Sequence, residues 1–212
     1  MSLNNKYLIL LFFIPLFLIN GCNKRSEKES KDDLLKKYNS KKFLLKKVHS
    51  VLGKDVKFAV KGNFKNDNNL EIAAVNETNN TDSAGIQFFL LELKNTKLVI
   101  ISKTKILKGS LTKSLTNKIK FPFFNYELLY YNSNDYYLGS KGGEQFSYII
   151  NFKEDKTYYS HIISVTNKIE QIYISKNIKK NGIKNFFLGN AKRDFPNIKL
   201  STTDLKLDEN IL

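Results

Sequence analysis

The sequence predicts a mainly β protein, built from antiparallel sheet units and preceded by one N-terminal amphipathic helix. Three observations favour this fold class. Helix-favouring Ala is scarce while Tyr, Phe, Ile and Asn abound, which suits strands and turns. From Asp55 onward, short apolar runs alternate with polar, turn-prone stretches. The order strand, polar loop, strand, tight hairpin, strand then occurs twice. With 42% hydrophobic residues, the chain can form a packed core.

Residues 1–21 have the organisation of a secretory signal peptide. Lys6 supplies a positive charge, and an almost unbroken apolar run follows from Leu8 to Ile19. This run contains Pro15 and is shorter than the stretch of about 20 apolar residues that a membrane-spanning helix needs. We therefore expect the chain to be exported.

The end of this segment, Ile19-Asn20-Gly21-Cys22, resembles the lipobox of bacterial lipoproteins. The resemblance implies cleavage before Cys22 and acylation of that cysteine, for example with palmitate. Cys22 is the only cysteine, so an intrachain disulfide is excluded. Residues 22–30, polar after the cysteine, then form a flexible tether. We expect the lipid on Cys22 to hold the protein in a membrane, with the outer membrane or cell surface favoured over the inner membrane.

Residues 31–53 form the predicted amphipathic helix. Ser30 and Asp33 have the spacing of a capping box, and Gly53 favours a left-handed C-terminal cap. An apolar stripe at helical spacing comprises Leu34, Tyr38, Leu45, Val48 and Leu52, with Leu44 at its margin. Much of the remaining surface carries Lys36, Lys37, Lys41, Lys42, Lys46 and Lys47. The stripe could pack on the following domain or lie on an anionic membrane, and we favour packing.

Residues 54–200 form the predicted β-rich domain. The strands predicted in its first half are Val56–Val60, Leu70–Val75, Gln87–Leu93 and Leu98–Ile101. Residues 63–69 and 76–84 are predicted to be polar loops, Asn95-Thr96 a tight turn, and residues 109–120 a polar connection. Residues 177–185 are predicted to be a loop or short helix, and residues 201–212 a loosely held tail.

The second half of the domain repeats the first at an offset of 56 to 59 residues. The aligned segments are Leu70–Glu77 with Tyr126–Ser133, Gly85–Phe88 with Gly143–Phe146, and Lys94–Lys97 with Lys153–Lys156. The repeats lie near residues 70–104 and 126–165, and Ile169–Ile174 predicts the start of a third. Chance similarity between strands is the alternative. Related units of several strands would form a propeller-like array or a sandwich.

The turn between Gly62 and Ala74 resembles the start of an FG-GAP or integrin-alpha-type repeat, which often holds calcium. The ligand positions of that turn are here Asn63, Lys65, Asp67 and Glu71. Calcium requires about 6 to 8 oxygen ligands, and Lys65 places a cation where an oxygen is needed. We therefore expect no calcium, no other metal and no cofactor.

No residue pattern predicts a catalytic site, so we assign no catalytic residue. The two histidines, His49 and His161, cannot build a zinc site by themselves. We expect His49 to be exposed on the helix and His161 to be packed within a strand. A Gly-x-Ser-x-Gly elbow and a phosphate loop are both missing from the sequence. A non-catalytic binding or interaction module is favoured, and the alternative is a cell-envelope hydrolase acting on glycan or peptide.

Tyrosines are dense in the second repeat, where they suit either a recognition surface or cross-strand pairs. Alternation along a strand puts Tyr130 and Tyr131 on opposite faces, so only one is expected in the core. We expect a partner to dock around Tyr130, Tyr131, Tyr136, Tyr137 and Lys141. A net charge of +15 favours an anionic partner, which could be a protein or another component of the envelope. The alternative is that the lysines are only scattered over a solvated surface. Export argues against nucleic acid as the partner.

Overall fold

The structure is a computed structural model, and it describes residues 31–80, 83–112, 114–133, 142–165, 168–175, 178, 181–195 and 205–208. Residues 1–30 lie outside this range, and they include the predicted signal peptide and the tether from Cys22 to Ser30. None of the helices in the described part is long and apolar enough to cross a membrane.

Three helices and ten strands make up the described structure. The helices are α1 (Lys31–Lys37), α2 (Lys41–Leu52) and α3 (Asn181–Asp194). The strands are β1 (Val56–Gly62), β2 (Glu71–Asn80), β3 (Ser83–Lys94), β4 (Lys97–Lys103), β5 (Ser114–Ile119), β6 (Leu128–Ser133), β7 (Gly142–Asn151), β8 (Lys156–Val165), β9 (Lys168–Ser175) and β10 (Leu205–Asp208).

The strands form two sheets, and the predicted mainly antiparallel β fold is confirmed. Strands β1 to β4 form the first sheet in sequence order. Strands β5 to β9 form the second sheet, also in sequence order, and β10 pairs with β9 in parallel. Over the residues that the structure describes, the sheets do not close into a ring of blades.

The two sheets pack face to face through a central core. Successive side chains of a strand point to opposite faces, so the middle strands β2, β3, β6 and β7 supply alternate residues to this core. The inner residues include Val75, Phe88 and Leu90 of the first sheet and Leu129, Tyr131, Tyr148 and Ile150 of the second. Burial of each such side chain contributes about 1.5–3 kcal/mol, so this layer holds the two sheets together.

Helices cover the outer faces of both sheets and give four layers in the order α–β–β–α. On the first sheet, the apolar side of α1 and α2 packs through Leu34, Tyr38, Leu44 and Val48. On the second sheet, α3 packs through Ile183, Phe187 and Ala191. Both sheets therefore have apolar residues on both faces.

The single helix predicted over residues 31–53 is two helices. The chain breaks after Lys37, and Ser40 starts α2 by accepting the Phe43 N–H on its hydroxyl at 3.5 Å. This new start changes the helical phase, so Leu44 is buried and Leu45 only half-buried. The predicted end at Gly53 is confirmed, but its φ of 92° and ψ of 175° are not those of the compact left-handed cap.

Several polar segments predicted to be irregular are regular. Residues 76–80 extend β2, residues 83–84 begin β3, the two strands pair as far as Asn80 and Ser83, and residues 114–119 form β5. Residues 181–185, predicted to be a loop or short helix, begin α3, a helix of 14 residues, and the predicted tail contains β10. The reason is that backbone hydrogen bonds form ladders and helices regardless of side-chain polarity.

The two predicted repeats have the same strand order. Strands β1 to β4 and β5 to β8 are both antiparallel meanders, and corresponding strands begin 57 to 59 residues apart. The predicted strand at Ile169–Ile174 lies within β9, which adds a fifth strand to the second sheet. In the described part of the chain it does not begin a third sheet.

Candidate functional site

A cavity of about 350 Å³ opens between the end of β4 and the β7–β8 hairpin. The apolar side chains that line it are Leu107, Ile150 and Phe152, which are buried. The rim carries the exposed side chains of Lys103, Lys105, Asp155 and Lys156. The cavity thus combines an apolar floor with a charged rim.

The charge of this rim is predominantly positive, with three lysines against one lining carboxylate, Asp155. Lys156 Nζ lies 2.9 Å from Glu154 Oε2, and this hydrogen bond raises the pKa of Lys156. Within the described residues, Lys103 and Lys105 make no ion pair. Both side chains are exposed.

Hydrogen bonds fix the segment that carries these two lysines. The Thr104 hydroxyl accepts the Phe88 N–H at 3.1 Å and donates to the Lys105 carbonyl at 2.7 Å. The Gln87 side-chain amide donates to the Thr104 carbonyl at 2.7 Å. The chain after β4 is therefore tied to β3, which holds one side of the rim in place.

The opposite side of the rim is held by Asn151, at the end of β7. Its side-chain Nδ2 lies 3.2 Å from the Tyr126 hydroxyl, and its side-chain Oδ1 accepts the Glu154 backbone N–H at 3.1 Å. The Tyr126 hydroxyl in turn donates to Glu154 Oε1 at 3.0 Å. The hairpin carrying Lys156 therefore has a defined conformation before any ligand binds.

A second polar cluster joins the second sheet to the end of α3. Asp194 Oδ2 accepts hydrogen bonds from Gln145 Nε2 at 3.0 Å and from Asn132 Nδ2 at 3.4 Å. Asn132 Oδ1 accepts from Gln145 Nε2 at 2.8 Å and from the Ser147 hydroxyl at 3.2 Å. Asn132, Gln145 and Ser147 are buried, so we interpret this cluster as a helix-docking contact.

Tyr130 and Tyr131 are both buried, with exposed fractions of 4% and 0%. The expectation that only one of them is core is wrong, because β6 is covered on both faces, by α3 and by the first sheet. The Tyr131 hydroxyl donates to the Ser110 carbonyl at 2.6 Å, and burial raises the pKa of Tyr130. Neither ring faces solvent, so neither can meet a partner in this conformation.

The remaining residues of the predicted docking surface, Tyr136, Tyr137 and Lys141, lie outside the described residues. Docking of a partner at these three residues stays a prediction.

The histidines lie on different elements and do not form one site. His161 is buried on β8, with its ring centroid 4.3 Å from Phe146 and its Nε2 3.4 Å from Glu144 Oε2. Its packed environment agrees with expectation. His49 is half-buried rather than exposed, because its Nε2 lies 2.8 Å from the Val56 carbonyl oxygen.

The acidic residues of the turn that resembles a calcium-binding repeat are engaged by backbone groups. Glu71 Oε2 accepts the N–H groups of Phe64 at 2.6 Å and Lys65 at 3.0 Å. Asp67 Oδ1 accepts the Asn69 N–H at 2.9 Å. The described residues contain no cluster of three or more His, Cys, Asp or Glu that could hold a metal. The expected indifference to calcium stays a prediction.

Lys103, Lys105 and Lys156 share no sequence pattern that would identify them as a group. They belong to two hairpin regions that are distant in the sequence, and each resembles any other exposed lysine. The alignment of the two repeats gives no indication either, because it matches Lys156 with Lys97 and not with Lys103 or Lys105, which line the same cavity. Only the packing of the two sheets brings the three together.

These features define a class of protein with two facing antiparallel sheets, helices on both outer faces and a lysine-rimmed cavity. No protein-family model matches the chain, and no curated protein or solved structure is significantly similar to it.

Proposed function

We propose that the protein is a membrane-anchored lipoprotein of the bacterial envelope that acts by binding an anionic ligand or partner, without catalysis. The observation that carries the binding role is the lysine-rimmed cavity. Among the described residues, no histidine and only one carboxylate, Asp155, line it. A glycoside hydrolase would instead require a pair of facing carboxylates.

The chemistry of the cavity favours a small anion with an apolar part. Lysine ammonium groups on the rim donate hydrogen bonds to carboxylate or phosphate oxygens. An apolar group of the ligand would cover the floor formed by Leu107, Ile150 and Phe152. Removing this apolar surface from water would favour binding. The volume of about 350 Å³ lies at the lower end of the range of small-molecule sites, which runs from about 300 to about 1,000 Å³.

Titration with octanoate and with octylamine tests this role, because the two probes share an apolar tail and differ in charge. We expect octanoate to bind and octylamine not to, as measured by calorimetry or by NMR shifts of residues around the cavity. The double variant Lys103→Ala, Lys105→Ala should lower the octanoate affinity by about tenfold, the effect of about 1.4 kcal/mol.

The matched control is Lys94→Ala, Lys97→Ala, which removes two exposed lysines from the β3–β4 hairpin. It should leave the octanoate affinity unchanged. Equal binding of octylamine, or an equal loss in both double variants, would show that the cavity is not an anion site.

The proposed anchor is tested with Cys22→Ala in the producing bacterium. Labelled palmitate should enter the wild-type chain and not the variant, and the variant should stay uncleaved or become water-soluble. Because one acyl chain binds a membrane only marginally, stable attachment of the wild type would require more than one. Incorporation of label into the variant would contradict acylation at Cys22.

A further inference from the structure

We propose that the outer face of α1 and α2 docks on the anionic headgroups of the membrane that holds the anchor. This lysine face consists of Lys36, Lys37, Lys41, Lys42, Lys46 and Lys47. The inference rests on the proposed lipid anchor for its biological setting, but the contact itself needs no acyl chain and can be tested without one.

The packing of α2 leaves Lys41, Lys42 and Lys46 exposed, whereas Lys47 is half-buried with its Nζ 5.4 Å from the centroid of the Phe43 ring. Leu44 and Val48 are buried against the first sheet, so the apolar side of the helix is already covered by the protein. Lys42 and Lys46, one turn apart, lie on the opposite side and are exposed. A membrane therefore meets a cationic surface here, without insertion of an apolar stripe.

The positive charge of this face is concentrated on α2. That helix has four lysines and no acidic residue. On α1 the charge is offset, since Lys36 Nζ lies 3.9 Å from Asp33 Oδ1 and Asp32 is also exposed. A helix of 12 residues is about 18 Å long, so its lysines are spread over a surface wider than a small anion can span.

Chain length places this face near the bilayer. Only residues 23–30 separate Cys22 from Lys31, and such a segment spans at most about 30 Å when fully extended. An acylated Cys22 would thus keep the start of α1 within that distance of the headgroups. Each lysine close to an anionic surface strengthens attachment about fivefold, and a basic patch complements a lipid chain that anchors weakly alone.

The experiment uses residues 23–212, which carry no acyl chain and include the compact unit formed by residues 31–212. Co-sedimentation should show binding to vesicles of phosphatidylglycerol and phosphatidylcholine in equal parts. Binding to phosphatidylcholine alone should be at least tenfold weaker, and added salt should release the protein. Lys42→Glu, Lys46→Glu should reduce binding at least tenfold, and Lys42→Gln, Lys46→Gln by a smaller factor.

Two comparisons give the contact a location. Lys94→Glu, Lys97→Glu makes the same charge change on the β3–β4 hairpin and should alter binding less than twofold. A fluorophore on Ser50→Cys, beside the lysine face, should be quenched by labelled headgroups, whereas one on Thr96→Cys in that hairpin should not. Circular dichroism of each variant checks that it is folded.

Loss of binding in both reversed pairs, or equal quenching at residues 50 and 96, would mean attraction by net charge alone and would overturn the proposal. Equal binding to neutral vesicles, or no binding, would overturn it as well. Neither result would bear on acylation of Cys22, which the palmitate experiment measures separately.

Discussion

Glu71 is the residue at which burial and hydrogen bonding most clearly oppose each other. Its side chain is fully buried, and burial raises the pKa of this carboxyl although the N–H groups of Lys65 and Phe64 favour the charged form. A raised pKa in the folded state means that the folded chain holds this proton more tightly than the unfolded chain. The stability it contributes is therefore present at low pH and is lost as the pH rises through the raised pKa.

Glu71→Gln should abolish this part of the pH dependence and leave the free energy of unfolding at neutral pH equal to or above that of the wild type. Its amide oxygen can still accept the two N–H groups, and no charge is buried. Glu71→Ala should lower that free energy by at least about 2 kcal/mol, because the backbone N–H groups of Phe64 and Lys65 lose their acceptor. Urea unfolding at about pH 5 and about pH 8 measures both effects, and an equal loss in both variants would contradict this account.

At the scale of the element, α3 is held by an apolar stripe and by one carboxylate. Asp194 is the last residue of the helix, where the negative end of the helix dipole disfavours an acid. The hydrogen bonds from Gln145 and Asn132 offset this disadvantage and join the helix end to the second sheet.

Asp194→Ala should lower the free energy of unfolding by about 1–3 kcal/mol, because two amide donors lose their acceptor under the helix. Hydrogen exchange of the last turn of α3 should accelerate more than that of β7. Asp55→Ala, which removes an exposed carboxylate, is the matched control and should change stability by less than about 0.5 kcal/mol. Similar losses in the two variants would show that the cluster does not secure α3.

For the whole molecule, the decisive feature is that the central core belongs to both sheets. The inner side of the first sheet, with Phe88 and Leu90, is buried only because Tyr131 and Tyr148 of the second sheet cover it. Although the two repeats have the same strand order, neither repeat encloses a complete core by itself. They differ in this from repeats that each form an independent domain.

Residues 31–112 and residues 114–212, produced separately, should therefore fail to fold, since each would expose a large apolar sheet face. Each fragment should lack near-ultraviolet circular dichroism and dispersed amide resonances, and mixing the two should restore both signals. A cooperative thermal transition in either fragment alone would contradict the shared core. The intact chain of residues 31–212 is the control.

Local patterns in the sequence predicted much of the first sheet. The alternation at Val56–Val60 and the apolar run at Gln87–Leu93 lie in β1 and β3. The turn at Asn95-Thr96 forms as predicted, with Asn95 at a φ of 57° and Lys94 paired with Lys97. These features depend on residues a few positions apart, and their side chains carry the signal.

The tertiary structure alone decided which faces are covered and where the candidate site lies. Strand β5 has a polar sequence and forms because β6 offers it a hydrogen-bonding edge. Tyr130 and Tyr131 are both core because α3 and the first sheet approach β6 from opposite sides. Lys103 and Lys156 share one cavity because the sheets stack. Each of these outcomes depends on contacts between segments distant in the sequence. Such contacts stabilise the fold without requiring a recognisable residue pattern in either segment alone.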